Sequence, residues 1–382
     1  MQLTNITSSN AEQPNGKIDQ FDFLKSIISA KSADELSRLK QESAKITENL
    51  FGNKVYLRGV IEFSNVCEKD CYYCGIRKSN KQFQRYLMQQ KEIVEQALWA
   101  FQQGYGSVVL QSGELQNKNF IDFVIKTIAE IKKQSKMKDS KGMGLAVVTS
   151  IGEQKKRIYE ELFDAGAHRY LLRIETTNQK LYKKIHPKNH SFKKREKCLD
   201  ALKEIGYQIG TGIMIGLPNQ TVDDLANDIL FFKEKDIDMV GMGPYIIHKD
   251  TPIGKEYFGE WNKKKADIFQ LSLNMIAACR IFLKDVNISS TTALQSLNPF
   301  GRELGLQYGA NVVMPIITPR KYRSDYLLYD NKPCIDEDAV DCTDCLAARI
   351  KSTGKEVALS DWGDPLHFFS RNKQKQSVML ND

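Results

Sequence analysis

From Val55 onward the chain alternates strand-like apolar runs with amphipathic helical stretches, and few architectures accept that alternation. The runs are Val55–Phe63, Ser107–Gln111, Gly144–Thr149, Arg169–Ile174, Gln208–Ile215, Met239–Ile247, Ile288–Ala293 and Asn311–Ile317. Between them apolar residues recur at helical spacing over Lys91–Gly104, Phe120–Lys133, Glu153–Gly166, Phe192–Gly206, Val222–Asp236 and Ala266–Leu283, with a weaker stretch at Gly301–Tyr308. Gly104, Gly166 and Gly206 stand where glycine C-caps would hand a helix on to the next strand. Parallel βα units in this number close into a barrel. An open doubly wound sheet would more often carry a glycine-rich first turn, and none follows Phe63. The expected fold class is α/β: a (β/α)8 TIM barrel over 53–330, after a mobile tail at 1–16 and a helical cap at 17–52, with a cysteine-containing C-terminal extension at 331–382. Ser32 and Asp34 mark the start of the second cap helix.

Barrel sites lie at the C-terminal ends of the strands, so polar residues should collect there. Directly after the first run the chain reads Ser64-Asn65-Val66-Cys67-Glu68-Lys69-Asp70-Cys71-Tyr72-Tyr73-Cys74. Three thiols on one short loop can wrap an iron–sulfur cluster. Three ligands leave one corner of a four-iron cube open, whereas a structural zinc ion normally takes four protein ligands. Ser112-Gly113-Glu114, Thr149-Ser150, Arg173 with Glu175, Gly216-Leu217-Pro218, His248, Thr291-Thr292 and Met314-Pro315 fall at or near the ends of the later runs.

Eight cysteines in a chain with no apolar leader near its start argue for metal binding over disulfides, and the expected compartment is the cytoplasm. No apolar run approaches the roughly 18 residues of a membrane span. The net charge of +8 sits in runs such as Lys193-Lys194-Arg195 and Lys263-Lys264-Lys265, the pattern of a solvated surface. No aromatic-rich basic stripe points to a nucleic acid. Cys198 and Cys279 fall on helix faces as packing residues.

The Cys67, Cys71, Cys74 spacing, with Tyr73 before the last thiol, resembles that of the radical S-adenosylmethionine (SAM) enzymes. The resemblance implies a 4Fe–4S cluster whose open iron chelates SAM and cleaves it to a 5′-deoxyadenosyl radical. It also implies that Gln111, Ser112, Gly113 and Glu114 receive the SAM ammonium group, and that the strand-five segment with Met214 lies along the adenine. Arg173 and Glu175, two apart on one strand face, suit a carboxylate and a ribose diol. Arg195 is a third candidate for this group, or surface charge.

A narrower resemblance rests on Arg58-Gly59-Val60-Ile61-Glu62-Phe63-Ser64-Asn65, Cys74-Gly75-Ile76-Arg77, Leu110-Gln111-Ser112-Gly113-Glu114, Arg169-Tyr170-Leu171-Leu172-Arg173-Ile174-Glu175-Thr176, Thr291-Thr292-Ala293 and Gly309-Ala310-Asn311-Val312-Val313-Met314-Pro315. These are similar to the radical SAM maturases of FeFe-hydrogenase of the HydE type. The resemblance implies an organometallic iron–cysteine precursor in a cavity lined by Arg58, Arg169, Thr291, Thr292, Met314 and Tyr326, with other maturases and an electron donor as partners. An anaerobic eukaryotic host would place the chain in a hydrogenosome or mitochondrial matrix. Cys334, Cys342 and Cys345 match a second-cluster position, 2Fe–2S or 4Fe–4S, that the family carries variably. The competing resemblances are methylornithine synthase, which would need a pocket for both ends of lysine, and biotin synthase. A non-catalytic cluster carrier stands outside the enzyme class.

Overall fold

The computed structural model describes residues 16–140, 142–336 and 339–379, leaving out the side chains of 339–344 and 374–379. The predicted tail, apart from Gly16, lies outside these residues. The alternation folds as its spacing requires. Strands β1 (Lys54–Ser64), β2 (Ser107–Ser112), β3 (Ala146–Ser150), β4 (Arg169–Leu171), β5 (Gln208–Thr211), β6 (Met239–Val240), β7 (Asn287–Ser290) and β8 (Val312–Val313) pair side by side in chain order. All run parallel, and Val312 pairs back onto Tyr56, so the barrel is closed. Past β5 and β6 a separate short ladder joins Met214–Ile215 to Gly243–Pro244. The predicted fifth and sixth strands are therefore each broken in two.

Side chains two apart share a face, and this stacks the barrel interior in layers. Val60, Val109 and Val148 form a buried middle layer with Leu171 and Met314. Two residues below lie Arg58 and Arg169; two above lie Glu62, Gln111, Ser150 and Arg173. Residues of the other parity, such as Ile61, Val108, Val147 and Tyr170, pack outward against the helices in the main core. Each large apolar side chain there contributes roughly 1.5–3 kcal/mol.

Ser32 caps the helix Ala33–Phe51 with a reciprocal Ser32–Glu35 box, which stabilises such a helix by about 1 kcal/mol. This helix and Lys17–Ile28 lie along the barrel flank, where Asn274 donates to the carbonyls of Ile28 and Ala30. Asn274 belongs to Lys265–Leu283, the one described helix long and apolar enough to cross a membrane, which contradicts the expectation of no such run. Its most apolar stretch is 67% buried, and its place between the flank helices and the barrel makes it a core helix.

The C-terminal extension closes the N-terminal end of the barrel. Glu356–Val357 pairs parallel with β1. Arg58 donates to the Gly363 carbonyl at 3.2 Å and contacts Met239 Sδ at 2.9 Å. Arg169 and Gln208 both donate to Asp364 Oδ1, at 2.5 Å each. Arg58 and Arg169 thus form the floor of the barrel interior, and Arg58 lines a cavity there. Their positions at the starts of β1 and β4 dictate this. The predicted seventh strand also needs correction: it ends at Ser290, and Thr291 is the N-cap residue of the helix Thr292–Leu297. Both hydroxyls leave the strand.

Candidate active site

β1 is buried along nearly its whole length, and its last residue, Ser64, leads into the thiol loop. The loop is fastened on both sides. The Glu114 N–H donates to Cys67 Sγ at 3.3 Å, and Glu68 N–H donates to the Glu114 carbonyl at 2.9 Å. On the far side Tyr72 N–H donates to the Ile185 carbonyl at 3.0 Å, and Gly75 N–H to that of Leu328 at 2.9 Å. Gly113 is needed where β2 meets the loop, because a Cβ there would stand 2.3 Å from the Val66 carbonyl oxygen and 2.8 Å from Cys67 Cβ.

Beneath the loop lies a buried ion cluster drawn from several strand ends. Glu153, 1% exposed, receives Arg195 Nε at 2.9 Å and Lys69 Nζ at 3.2 Å. Glu114 faces Lys69 at 3.1 Å and Arg195 at 3.7 Å. Burial works to raise the Glu153 carboxyl, yet Arg195 and Lys69 hold it below its ordinary range. Burial wins at Glu114, which is raised. Arg195, left open as surface charge by its place in a basic run, is buried and donates to the Arg173 carbonyl at 2.9 Å. Lys69 and Glu153 escaped the sequence reading. Glu153 was assigned to a helix that begins only at Lys156, and its place just past β3 was the signal available.

Arg173 and Glu175 form a bidentate pair, Nε donating to Oε1 at 3.2 Å and Nη2 to Oε2 at 3.0 Å, and Arg173 remains about a third exposed. Glu175 holds φ at 66°, a left-handed conformation costly for a residue with a Cβ. Its backbone bridges to Ile213, two residues before the Met214–Ile215 ladder ends. Met214 is buried in an apolar cluster with Leu217 and Tyr245, against which Tyr72 and Tyr73 pack.

The three thiols are all raised by burial: Cys71 up to about 12, Cys67 upward and Cys74 well above its ordinary value. The negative charge of Glu175 adds to the rise at Cys71 and Cys74, which places that carboxylate beside them. The donor set fits a cluster better than a single ion. Among the described residues the thiols of Cys67, Cys71 and Cys74 do not converge within 4.8 Å of one another, as one tetrahedral ion would require.

Inside the barrel, Gln111 Nε2 donates to the Tyr326 hydroxyl at 3.3 Å, joining two residues expected in different roles. Ser112 Oγ donates to the Gly113 carbonyl at 2.7 Å. Glu62 and Lys332 make a buried pair at 2.6 Å that the sequence did not announce, since Lys332 lies some 270 residues away. Thr291 Oγ1 is buried without a partner among the described residues, and Thr292 Oγ1 accepts from Arg302 at 3.0 Å. Met314 and Arg58 line a cavity of about 20 Å³ within the barrel. In the extension Cys334 is half-buried, with φ at 63°, and Cys345 is exposed. The side chain of Cys342 lies outside the described residues.

The Radical SAM superfamily description matches residues 61–232. The FeFe hydrogenase maturase subunit HydE of Thermotoga maritima is 46% identical over 318 residues, covering 83% of this chain and 86% of that one. A 3-methylornithine synthase of Methanosarcina acetivorans is 27% identical, over 78% of this chain and 79% of its own. Among solved structures, methylornithine synthase (PylB) superposes with a TM-score of 0.71 at 22% identity, covering 89% of this chain and 94% of that one. HydG, a maturase of the FeFe-hydrogenase, superposes at 0.68 and 17% identity, covering 89% and 75%.

Proposed function

Since this chain belongs to the HydE family of FeFe-hydrogenase maturases, radical SAM enzymes, we propose that its substrate is an organometallic iron–cysteine precursor of the hydrogenase cofactor, taken into the barrel beneath SAM. The observation that carries the reading is the seating of a three-thiol loop over the barrel rim, beside a half-open Arg173 and a strained Glu175. When bound, the 4Fe–4S cluster and SAM supply a 5′-deoxyadenosyl radical by one-electron cleavage of the sulfonium.

The chain's own residues do the holding and the shielding. Cys67, Cys71 and Cys74 would hold three irons, and coordination would replace protons that burial otherwise keeps on the sulfurs. Arg173 presents a planar fork suited to the SAM carboxylate, and Glu175 suits the ribose hydroxyls. The Gln111–Gly113 turn is proposed for the ammonium group. Glu114 and Arg195 serve this site from behind, since both are engaged in the ion cluster that seats the loop. Tyr73, Met214, Leu217 and Tyr245 form an apolar wall that limits water beside the reacting centre.

The Gln111–Tyr326 pair and Thr291 are proposed to contact the precursor, with Met314 below them. The Cys334, Cys342, Cys345 triad is proposed as an accessory cluster site dispensable for SAM cleavage. Other maturases, an electron donor and a reducing cytoplasm complete the proposal.

Anaerobically reconstituted and reduced protein is expected to release 5′-deoxyadenosine and methionine from SAM, and Cys71→Ala to abolish this. Omitting the chain from a mixture of maturases should leave hydrogenase apoprotein inactive. Full activation without it, or conversion of lysine to methylornithine by it, would overturn the substrate assignment.

A further inference from the structure

Among the described residues, one group of cysteine, histidine or carboxylate ligand atoms converges within 4.8 Å: Cys71 Sγ with one ring nitrogen each of His186 and His190. Both histidines lie on the connection after β4, His186 just past the helix Gln179–Ile185 and His190 just before Phe192–Ile205. That connection is tied to the thiol loop through the Tyr72–Ile185 hydrogen bond.

The His186 ring is positioned independently of Cys71, and the His190 ring lies tilted against that ring with centroids 5.4 Å apart. His186 is 2% exposed and stacks on Tyr182 with ring centroids 4.0 Å apart. Its Nδ1 lies 2.9 Å from the Tyr182 carbonyl oxygen, which can only accept, so Nδ1 carries the proton and Nε2 keeps its lone pair. That Nε2 stands 3.4 Å from the Tyr73 hydroxyl, which must swing aside for an ion to bind, and a ring held by a backbone carbonyl through its other nitrogen has the outer-shell support typical of a metal ligand. His190, 9% exposed, brings Nδ1 to 3.9 Å from Cys71 Sγ. Around a tetrahedral ion with bonds of about 2.0–2.3 Å, ligand atoms stand roughly 3.3–3.7 Å apart, so small rotations close the site. One thiolate and two imidazoles make a borderline-soft set that suits zinc and leaves a position for water.

We propose that the cluster-free chain holds one zinc-type divalent ion on Cys71, His186 and His190, and that this ion competes with the iron–sulfur cluster for Cys71. Binding is a ligand exchange without redox change: the Cys71 thiol releases its proton to solvent and each imidazole donates a lone pair. A chain so loaded lacks one of its three cluster thiolates until the ion leaves. The ion site itself does not depend on SAM chemistry; only the competition rests on Cys71 serving as a cluster ligand.

The test uses the full-length chain purified free of cluster, titrated anaerobically with Co²⁺ and read by visible absorption. One equivalent should give tetrahedral d–d bands with a thiolate-to-cobalt charge-transfer band. His190→Ala and His186→Gln should each weaken binding at least tenfold, Cys71→Ser should remove the charge-transfer band, and Cys67→Ser should leave the spectrum intact. His190 sits at the edge of the site, so His190→Ala, checked by circular dichroism, carries the result should His186→Gln not fold. No binding, or a spectrum lost in Cys67→Ser but kept in both histidine variants, overturns the proposal in favour of no site or of a three-thiol site. In a second arm, one equivalent of Zn²⁺ added beforehand should slow 4Fe–4S reconstitution of the wild type by at least tenfold and spare His190→Ala. Cobalt bound through Cys71 with reconstitution unslowed overturns the competition alone and counts against Cys71 as a cluster ligand.

Discussion

The two ends of this barrel are both built from buried charge, and they use it differently. At the floor, the extension brings its own counter-ions: Asp364 receives Arg169 and Gln208, and Arg371 reaches Asp238 at 3.0 Å. Among the described residues one nitrogen each of Arg58, Arg169 and Arg371 and one oxygen of Asp238 are buried there without a partner. At the rim, the Lys69, Glu114, Glu153 and Arg195 cluster is satisfied within the chain, but what it supports is not. Three half-buried thiols, a half-open Arg173 and a strained Glu175 stand above it. Charge closed on itself marks structure, and charge that holds unsatisfied groups in place marks a site for something else.

The comparison breaks most sharply at Gly113. Gly113→Ala must displace either the Val66 carbonyl or Cys67, so cluster content after reconstitution, read by iron analysis and absorbance near 400 nm (roughly, as for iron–sulfur proteins), should fall at least tenfold. Normal iron content would show the loop to be less tightly held than its contacts indicate. Next comes Glu153→Gln. Removing this carboxylate leaves Arg195 and Lys69 facing only the raised Glu114, a loss of about 3–5 kcal/mol for a broken buried pair. Urea unfolding should register it together with weaker SAM cleavage, whereas loss of stability alone would reduce the cluster to a fold element.

Asp364→Asn should separate the two ends. With the floor less well paired, stability should drop by about 1–3 kcal/mol, while SAM cleavage per bound cluster stays at the wild-type rate. A fall in that rate would mean the floor communicates with the rim. The smallest effect concerns His367, which lies 2.7 Å from Asp236 and 2.9 Å from Asp285. Although burial works against its charge, these carboxylates raise it to about 9. Its contribution is complete below the unfolded value of about 6.5 and is lost as pH rises through 9. After allowance for partial exposure it amounts to about 1 kcal/mol. Stability measured from pH 6 to 10 (about the span set by the two values) should decline in the wild type and stay flatter in His367→Gln.

Much of the fold was legible in advance because periodicity reports burial locally. A strand buried on both faces and a helix buried on one write different patterns, and the alternation of the two admits a closed parallel barrel. Thr291 shows the limit: its β-branched neighbourhood reads as strand, but its hydroxyl-bearing residue is the N-cap of a helix. The thiol spacing was equally legible, since three ligands for one cofactor must lie close along a loop. The low position of Arg58 and Arg169 was not legible, because a motif records which residues matter and not their height within a barrel.

What the amino-acid order determined by itself was local: the βα rhythm, the thiol spacing and the Arg173–Glu175 pair two residues apart. What only the tertiary structure decided was how distant charges met. Lys332 reached Glu62, Asp364 reached Arg169, Lys69 and Arg195 met on Glu153, and two histidines came to flank Cys71. The physical reason is that an ion pair or a metal site depends on separation in space, and closing the barrel brings together residues whose order along the chain carries no record of that approach.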